Sequence, residues 1–391
     1  LALAIPRVDQ KQRLKFLMTT TTAFITDELC FWHDPGNYAL MLKPGGFVEP
    51  YNRHIENADP KRRLHNLLQT SGMLSQLQVM PARDAQVHEL TRLHSADYVS
   101  KVQAIAQQGG GDTGIGAPIS SNGWDAARRS AGCALSAVDA VMLGQAHTAY
   151  ALTRPPGHHA EPEQGMGFCV FANAALAAAH AIEVHGLQRV AIVDWDVHFG
   201  NGTQKCFENR NDVLTISVHQ QAGYLFVKGE TDELGTGQGL GYNLNLPLPP
   251  GCGFGAYREA FEQVVLPALE AYRPELIIVA CGYDAGRFDP LGRMLLDGVA
   301  FRWMTDAVMD VARRHAQGRL VMTHEGGYCP VSVPFWGLAV LEQLSGHKTE
   351  APCPFTPQHD QMPAQKLQDY QRDLTRQWAS HFEDVRQRHW R

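Results

Sequence analysis

Residues Arg189 to Gln204 read RVAIVDWDVHFGNGTQ, and the fold turns on how the first six are taken. Arg189 to Asp194 is a short β-branched and apolar run, the mark of a strand. Thr22 to Thr26, Thr148 to Leu152, Val213 to Val218, Leu276 to Cys281 and Arg319 to Thr323 share that character. Ala126 to Leu143, Asn173 to Val184, Ala256 to Tyr272, Val299 to Ala316 and Pro334 to Leu344 instead have helical length and apolar spacing. Strands alternating with helices predict an α/β fold with a mostly parallel sheet flanked by helices on both faces, because parallel strands need crossover connections. No Ser-, Pro- or charge-rich linker and no internal repeat interrupts the chain, so residues 18 to 365 are expected to form a single domain. Residues 1 to 17, ahead of Met18, read as an upstream extension, and residues 366 to 391 as a charged helical tail.

A chain of 391 residues can bury a sizeable core. Its 34 Lys plus Arg against 40 Asp plus Glu leave a net charge of -6, a poor match for a phosphate backbone, so no nucleic-acid partner is expected. The longest strongly apolar runs, such as Leu276 to Cys281, fall far short of the roughly 20 residues of a membrane span. The N-terminus also lacks the residue order of a signal peptide. Eight cysteines (Cys30, Cys133, Cys169, Cys206, Cys252, Cys281, Cys329, Cys353) include no C-x-x-C pair and read as reduced core residues of a cytoplasmic protein.

Four unusual segments each follow an expected strand: Arg154 to His159 (RPPGHH), Asp194 to His198 (DWDVH), Gly282 to Asp284 and Glu325 to Tyr328. In open parallel sheets, ligands bind beyond the carboxyl ends of the strands. Asp194, Asp196 and His198 alternate, and an extended chain would send all three to one face, a set suited to a divalent metal. Asp284, emerging from an all-apolar strand, is the natural further ligand, and an Asp, His, Asp set leaves positions open for water and substrate. Taken singly, D-x-D-x-H is as readily a loop of caps, and an Asp after a strand is more often a helix N-cap; four such segments at strand ends shift the balance. His158 and His159, fixed behind Pro155, Pro156 and Gly157, are suited to proton transfer, although tandem histidines also serve as ligands. Gly326 and Gly327 permit close backbone approach, and Tyr328 offers a donor to an oxygen that becomes negative.

Together RPPGHHA at Arg154, GMGFCVFAN at Gly165, DWDVHFGNGTQ at Asp194, CGYDAGRFDPLGRM at Cys281 and HEGGY at His324 resemble the zinc-dependent histone deacetylases. The resemblance is to the bacterial class II-like histone deacetylase-like amidohydrolases of the arginase/deacetylase fold, and it runs from about Thr22 to Gly346. It implies one catalytic Zn2+ on Asp196, His198 and Asp284. It implies His158 and His159 as catalytic histidines with Asp194 and Asn201 as their acceptors, His159 serving as general base and acid. Tyr328 would hold the oxyanion while the amide of an acylated amine is hydrolysed to carboxylate and free amine. Gly167, Phe168 and Tyr224 would line a substrate tunnel. K+ or Na+ would sit at Asp194, Asp196, His198, Ser217 and Val218, and again at Phe207, Arg210, Val213 and Tyr242. Relatives of this kind are often homodimers or homotetramers.

Two departures stand out. Phe199 occupies a position where the family commonly has His, and the loop Gln220 to Gly229 lacks a Phe-Pro-Pro-like sequence. Protein acyl-lysine, acetylpolyamines and small amides all remain open as substrates; Glu49, Glu56 and Asp59 supply an acidic segment of the kind that acetylpolyamine hydrolases carry at the tunnel rim. A non-catalytic acyl-lysine-binding protein and a two-manganese hydrolase are the competing classes.

Overall fold

Successive residues of each central strand point to opposite sides of one sheet, and both sides are dry. In the strand Val190–Asp194, Ala191 and Val193 enter one apolar core while Val190 and Ile192 enter another; Ile277 and Val279 divide from Leu276 and Ile278 in the same way. That is the burial expected of parallel strands covered on both faces. A computed structural model describes residues 21–390 apart from 41, 43, 44, 46–48, 50, 51, 222–226 and 228.

The eight strands of this sheet are β1 (Thr22–Thr26), β2 (Gln78–Pro81), β3 (Thr148–Ala151), β4 (Val190–Asp194), β5 (Val213–Gln220), β6 (Asn243–Leu248), β7 (Leu276–Cys281) and β8 (Leu320–His324). They lie in the order β6-β5-β4-β7-β8-β3-β1-β2, and each neighbouring pair is parallel. The larger core packs the helices α1 (Asp59–Thr70), α5 (Gly298–His315), α6 (Val333–Ser345) and α7 (Asp369–His389) on one face. The other face carries α2 (Gly123–Met142) and α3 (Asn173–Glu183), whose buried residues are largely alanines; small side chains let helices approach closely. A short helix, α4 (Asn201–Phe207), follows β4.

Register sets the site. Asp194 pairs with Ala280, Cys281 with His324 and Ala151 with Thr323, so the carboxyl ends of β4, β7, β8 and β3 finish level with one another.

The expected strands and helices all form, with shifted ends. β5 runs on to Gln220, and α2 begins at Gly123. The expected helix Ala256 to Tyr272 spans Phe254–Ala260 and Leu266–Tyr272, joined by a π segment at Phe261–Val265. β2 and β6 were not expected from the sequence. β2 is a mostly exposed edge strand, and β6 reads NLNLPL, whose Asn243 and Asn245 amides each donate to Gln204 Oε1 at 2.6 and 2.8 Å. In the tail, Trp378 and Phe382 of α7 join the core, and Trp390 donates to the Gly241 carbonyl at 2.8 Å while stacking on Tyr242. Among the described residues no helix is long and apolar enough to cross a membrane.

Candidate active site

Asp196, His198 and Asp284 come together from the ends of β4 and β7, at 0%, 6% and 0% exposure. His198 Nδ1 lies 3.1 Å from Asp196 Oδ1 and 3.1 Å from Asp284 Oδ2. The run that delivers Asp196 and His198 is not extended, contrary to the alternation expected from the sequence. Asp194 Oδ1 accepts the Asp196 N–H at 3.0 Å and Asp196 Oδ1 the His198 N–H at 2.9 Å, folding the chain through successive Asx-type turns. Asp194 therefore parts from the other two and faces His158.

Further backbone N–H groups hold the carboxylates: Gly326 donates to Asp196 Oδ2 and Val197 to Asp284 Oδ1, both at 2.8 Å. A Cβ at Gly326 would run into both carboxylates, so only glycine allows this approach. Burial disfavours a charged His198, but its hydrogen bonds to Asp196 and Asp284 hold it up at about 10. Burial, and then the charge of Asp196, push Asp284 up to about 6. Two fully buried carboxylates carry more negative charge than one imidazole can offset. The deficit and the O, N, O donor set both fit a divalent cation of the zinc type.

Asp139, His180 and His185 form a second group with ligand-type atoms within 4.8 Å of one another. There Arg92 Nη1 sits 2.9 Å from His180 Nδ1, so that nitrogen accepts, and Nε2 carries the proton it gives to Asp139 Oδ1 at 2.7 Å. This arrangement is a hydrogen-bond network with no lone pair left to offer a metal at His180 Nε2.

His158 and His159 follow β3, their rings 4.0 Å apart. His158 Nδ1 is 2.9 Å from Asp194 Oδ2, and His159 Nδ1 is 2.7 Å from Asn201 Oδ1, the first residue of α4. The unlike partners make unlike histidines. Burial opposes charge on His158, yet Asp196 and Asp194 raise it to about 10. Burial, with the positive rings of His158 and His198, pushes His159 well below the usual imidazole range.

Residues outside the expected metal and proton-transfer set hold this loop. Glu325, fully buried, accepts from the N–H groups of Gly157 at 2.6 Å and His158 at 3.2 Å. Its place in the Glu325 to Tyr328 segment was the available signal. Arg154, 1% exposed, pairs with Glu56 and donates to the His33 carbonyl at 2.6 Å. Glu56 is thus no rim carboxylate: it is 2% exposed, and against its burial Arg154 holds it down to about 2. Glu56→Ala leaves a guanidinium buried with carbonyls alone and should cost about 3–5 kcal/mol of stability by chemical denaturation. A loss below about 1 kcal/mol would show that the pair does not hold the loop.

Tyr328 is 9% exposed, and its N–H donates to Asp289 Oδ2 at 2.6 Å. Its ring stands 5.8 Å from Phe168 in an edge contact. Phe168 has φ +70, an uncommon conformation held by its N–H on the Gly116 carbonyl and that of Gly167 on Ile115. Tyr224 lies outside the described residues. Phe199 packs its ring 5.1 Å from that of His219, while Ser217 Oγ lies 2.9 Å from His219 Nδ1. Of the carbonyls expected at a second cation site, Phe207 accepts from Arg210 N at 2.9 Å and Tyr242 from Thr215 N at 3.0 Å.

Comparison with known proteins gives the family and the fold. Residues 54–344 match the family model described as the histone deacetylase domain. The chain is 48% identical to a histone deacetylase-like amidohydrolase of Pseudomonas aeruginosa, over 93% of this chain and 97% of that protein. It is 37% identical to histone deacetylase 8 of Arabidopsis thaliana, over 80% and 86%. The crystal structure of the HDA15 HD domain superposes with a TM-score of 0.79 at 30% identity, covering 95% of each chain. On these matches, and on a fold they share, the chain belongs to the histone deacetylase family, among its amidohydrolase-like members.

Proposed function

We propose that the protein is a zinc-dependent deacylase that hydrolyses the amide of N-acylated amines such as acetyl-lysine to a carboxylate and a free amine. The observation that carries this reading is the meeting, at four level strand ends, of a buried Asp, His, Asp set with two unlike histidines and a buried tyrosine. Zinc held by Asp196, His198 and Asp284 supplies Lewis acidity toward the carbonyl and makes water more acidic. His159, neutral and with Nδ1 committed to Asn201, keeps Nε2 for the proton of the attacking water and returns it to the leaving nitrogen. His158, cationic beside Asp194, opposes the developing negative charge. Gly167 and Phe168 form one wall for the acyl-amine stem. A monovalent cation at Asp194 would further steady β4 and its loop. The eight free cysteines support a reducing, cytoplasmic setting.

Burial keeps the Tyr328 phenol well above its ordinary pKa, so it remains a donor. Tyr328→Phe removes only that donor and should lower kcat about 10²- to 10³-fold with zinc content unchanged. Near-normal turnover on an unactivated acetyl-lysine peptide would remove Tyr328 from the reaction. The reading as a whole is tested by a turnover panel of acetyl-lysine and trifluoroacetyl-lysine peptides, acetylated polyamines and small anilides, alongside metal analysis. About one zinc per chain is expected; two manganese ions, or no turnover on any acylated amine, would overturn it.

A further inference from the structure

We propose that Glu161, a half-buried residue outside the reacting groups, sets which nitrogen of His159 carries the proton, acting through the amide of Asn201. The proposal rests on the reading of His159 as the base. An asparagine beside an imidazole is ambiguous: its oxygen selects the Nδ1–H tautomer and its NH2 selects the reverse. Only the first leaves a lone pair on Nε2, and a base with its proton on the wrong nitrogen cannot take another.

Three acceptors surround Asn201 Nδ2: Glu161 Oε1 at 2.8 Å, the His159 carbonyl at 3.4 Å and Met166 Sδ at 3.3 Å. The carboxylate dominates, since it is charged and has no proton to give. Turning the amide over would set Asn201 Oδ1 against Glu161 Oε1, two acceptors at hydrogen-bond distance. With Glu161 present, Oδ1 must face His159 Nδ1, at 2.7 Å, and that nitrogen must donate.

Glu161 is itself held in place. Its other oxygen accepts from Gln164 Nε2 at 3.0 Å, its N–H donates to the Gln164 carbonyl at 2.9 Å, and its carbonyl lies 3.0 Å from His94 Nδ1. His94 in turn accepts the Ala172 N–H at Nε2, so its Nδ1 is the donor. The turn from Glu161 to Gln164 thus aims a carboxylate at the back of the catalytic loop. Glu161 is a positioning residue: it touches Asn201 and not the substrate.

A donor at position 161 should invert the selection. Glu161→Lys presents N–H groups to the amide, attracts Oδ1 and turns NH2 toward His159. Expected is a loss in kcat of about 10- to 100-fold, the worth of a hydrogen bond to a charged group, with KM within about twofold and zinc content unchanged. Glu161→Gln, which retains an oxygen for Asn201, should restore most of the rate. Asn201→Asp offers oxygen in both orientations, so in that background Glu161→Lys should cost less than about threefold. The tautomer is read directly by ring ¹⁵N shifts of His159 in histidine-labelled holoenzyme, whether or not the Asn201→Asp protein turns over: Nδ1–H in the parent, Nε2–H in Glu161→Lys. Unchanged ring shifts in Glu161→Lys would overturn the proposal, as would equal losses in an active Asn201→Asp background. A parent that hydrolyses no acylated amine would sink the functional reading instead, leaving the shifts to decide the tautomer.

Discussion

His159→Ala should lower kcat by about 10²- to 10⁴-fold, the usual worth of a positioned proton-transfer group, while the protein retains its zinc. His159 is not among the three clustered donors, so metal content is independent of it. Its pKa lies well below the ordinary imidazole value, chiefly because burial disfavours its charge, so the proposed base needs to lose no proton near neutral pH. Phe199→His offers the contrast. Position 199 packs on His219 and is not one of the clustered donors, so the loss there should be smaller. Both variants are measured on an unactivated acetyl-lysine peptide with zinc quantified in parallel. A His159→Ala protein within about threefold of the parent would move the base elsewhere.

Asp284→Ala should abolish activity by a different route, by emptying the metal set. Only Asp196 and His198 remain as protein donors, too few to fix a catalytic cation. A hydrogen-bond partner of a ligand is typically worth about 10- to 100-fold in metal affinity, and the ligand itself should exceed that. The separating measurement is thermal. A ligand bound only by the native state stabilises it, so a chelator should lower the Tm of the parent and leave that of Asp284→Ala unchanged. Full zinc retention with normal turnover would refute the assignment.

The central strands were legible because both their faces are apolar: VAIVD and LIIVAC can hardly be anything else. β6 was not, since NLNLPL becomes a strand only when Gln204 and β5 supply partners for its asparagines. The candidate side chains could be grouped from the sequence because each lies in the segment after a strand end. Their orientation was not legible. The Asx turns that divide Asp194 from Asp196 are local, but nothing in D-x-D-x-H chooses them over an extended chain. The supports of the site were the least visible: Glu325 reaches back to Gly157, and Glu56 crosses to Arg154 over 98 positions. Such pairs depend on tertiary placement and leave no spacing to read.

The strand order has a consequence for the timing of synthesis. β3 leads to His158 and His159, and β4 leads to Asp196 and His198, yet β7 and β8 lie between these two strands in the sheet. A nascent chain that has emerged as far as Tyr272 contains both histidines and two of the three metal donors, but not the strands that space them. Non-local pairing of this kind forms slowly and late. A chain interrupted at Tyr272 therefore lacks Asp284, Tyr328 and the two strands that space β4 from β3, so the candidate site can be completed only after β7 and β8 have been made.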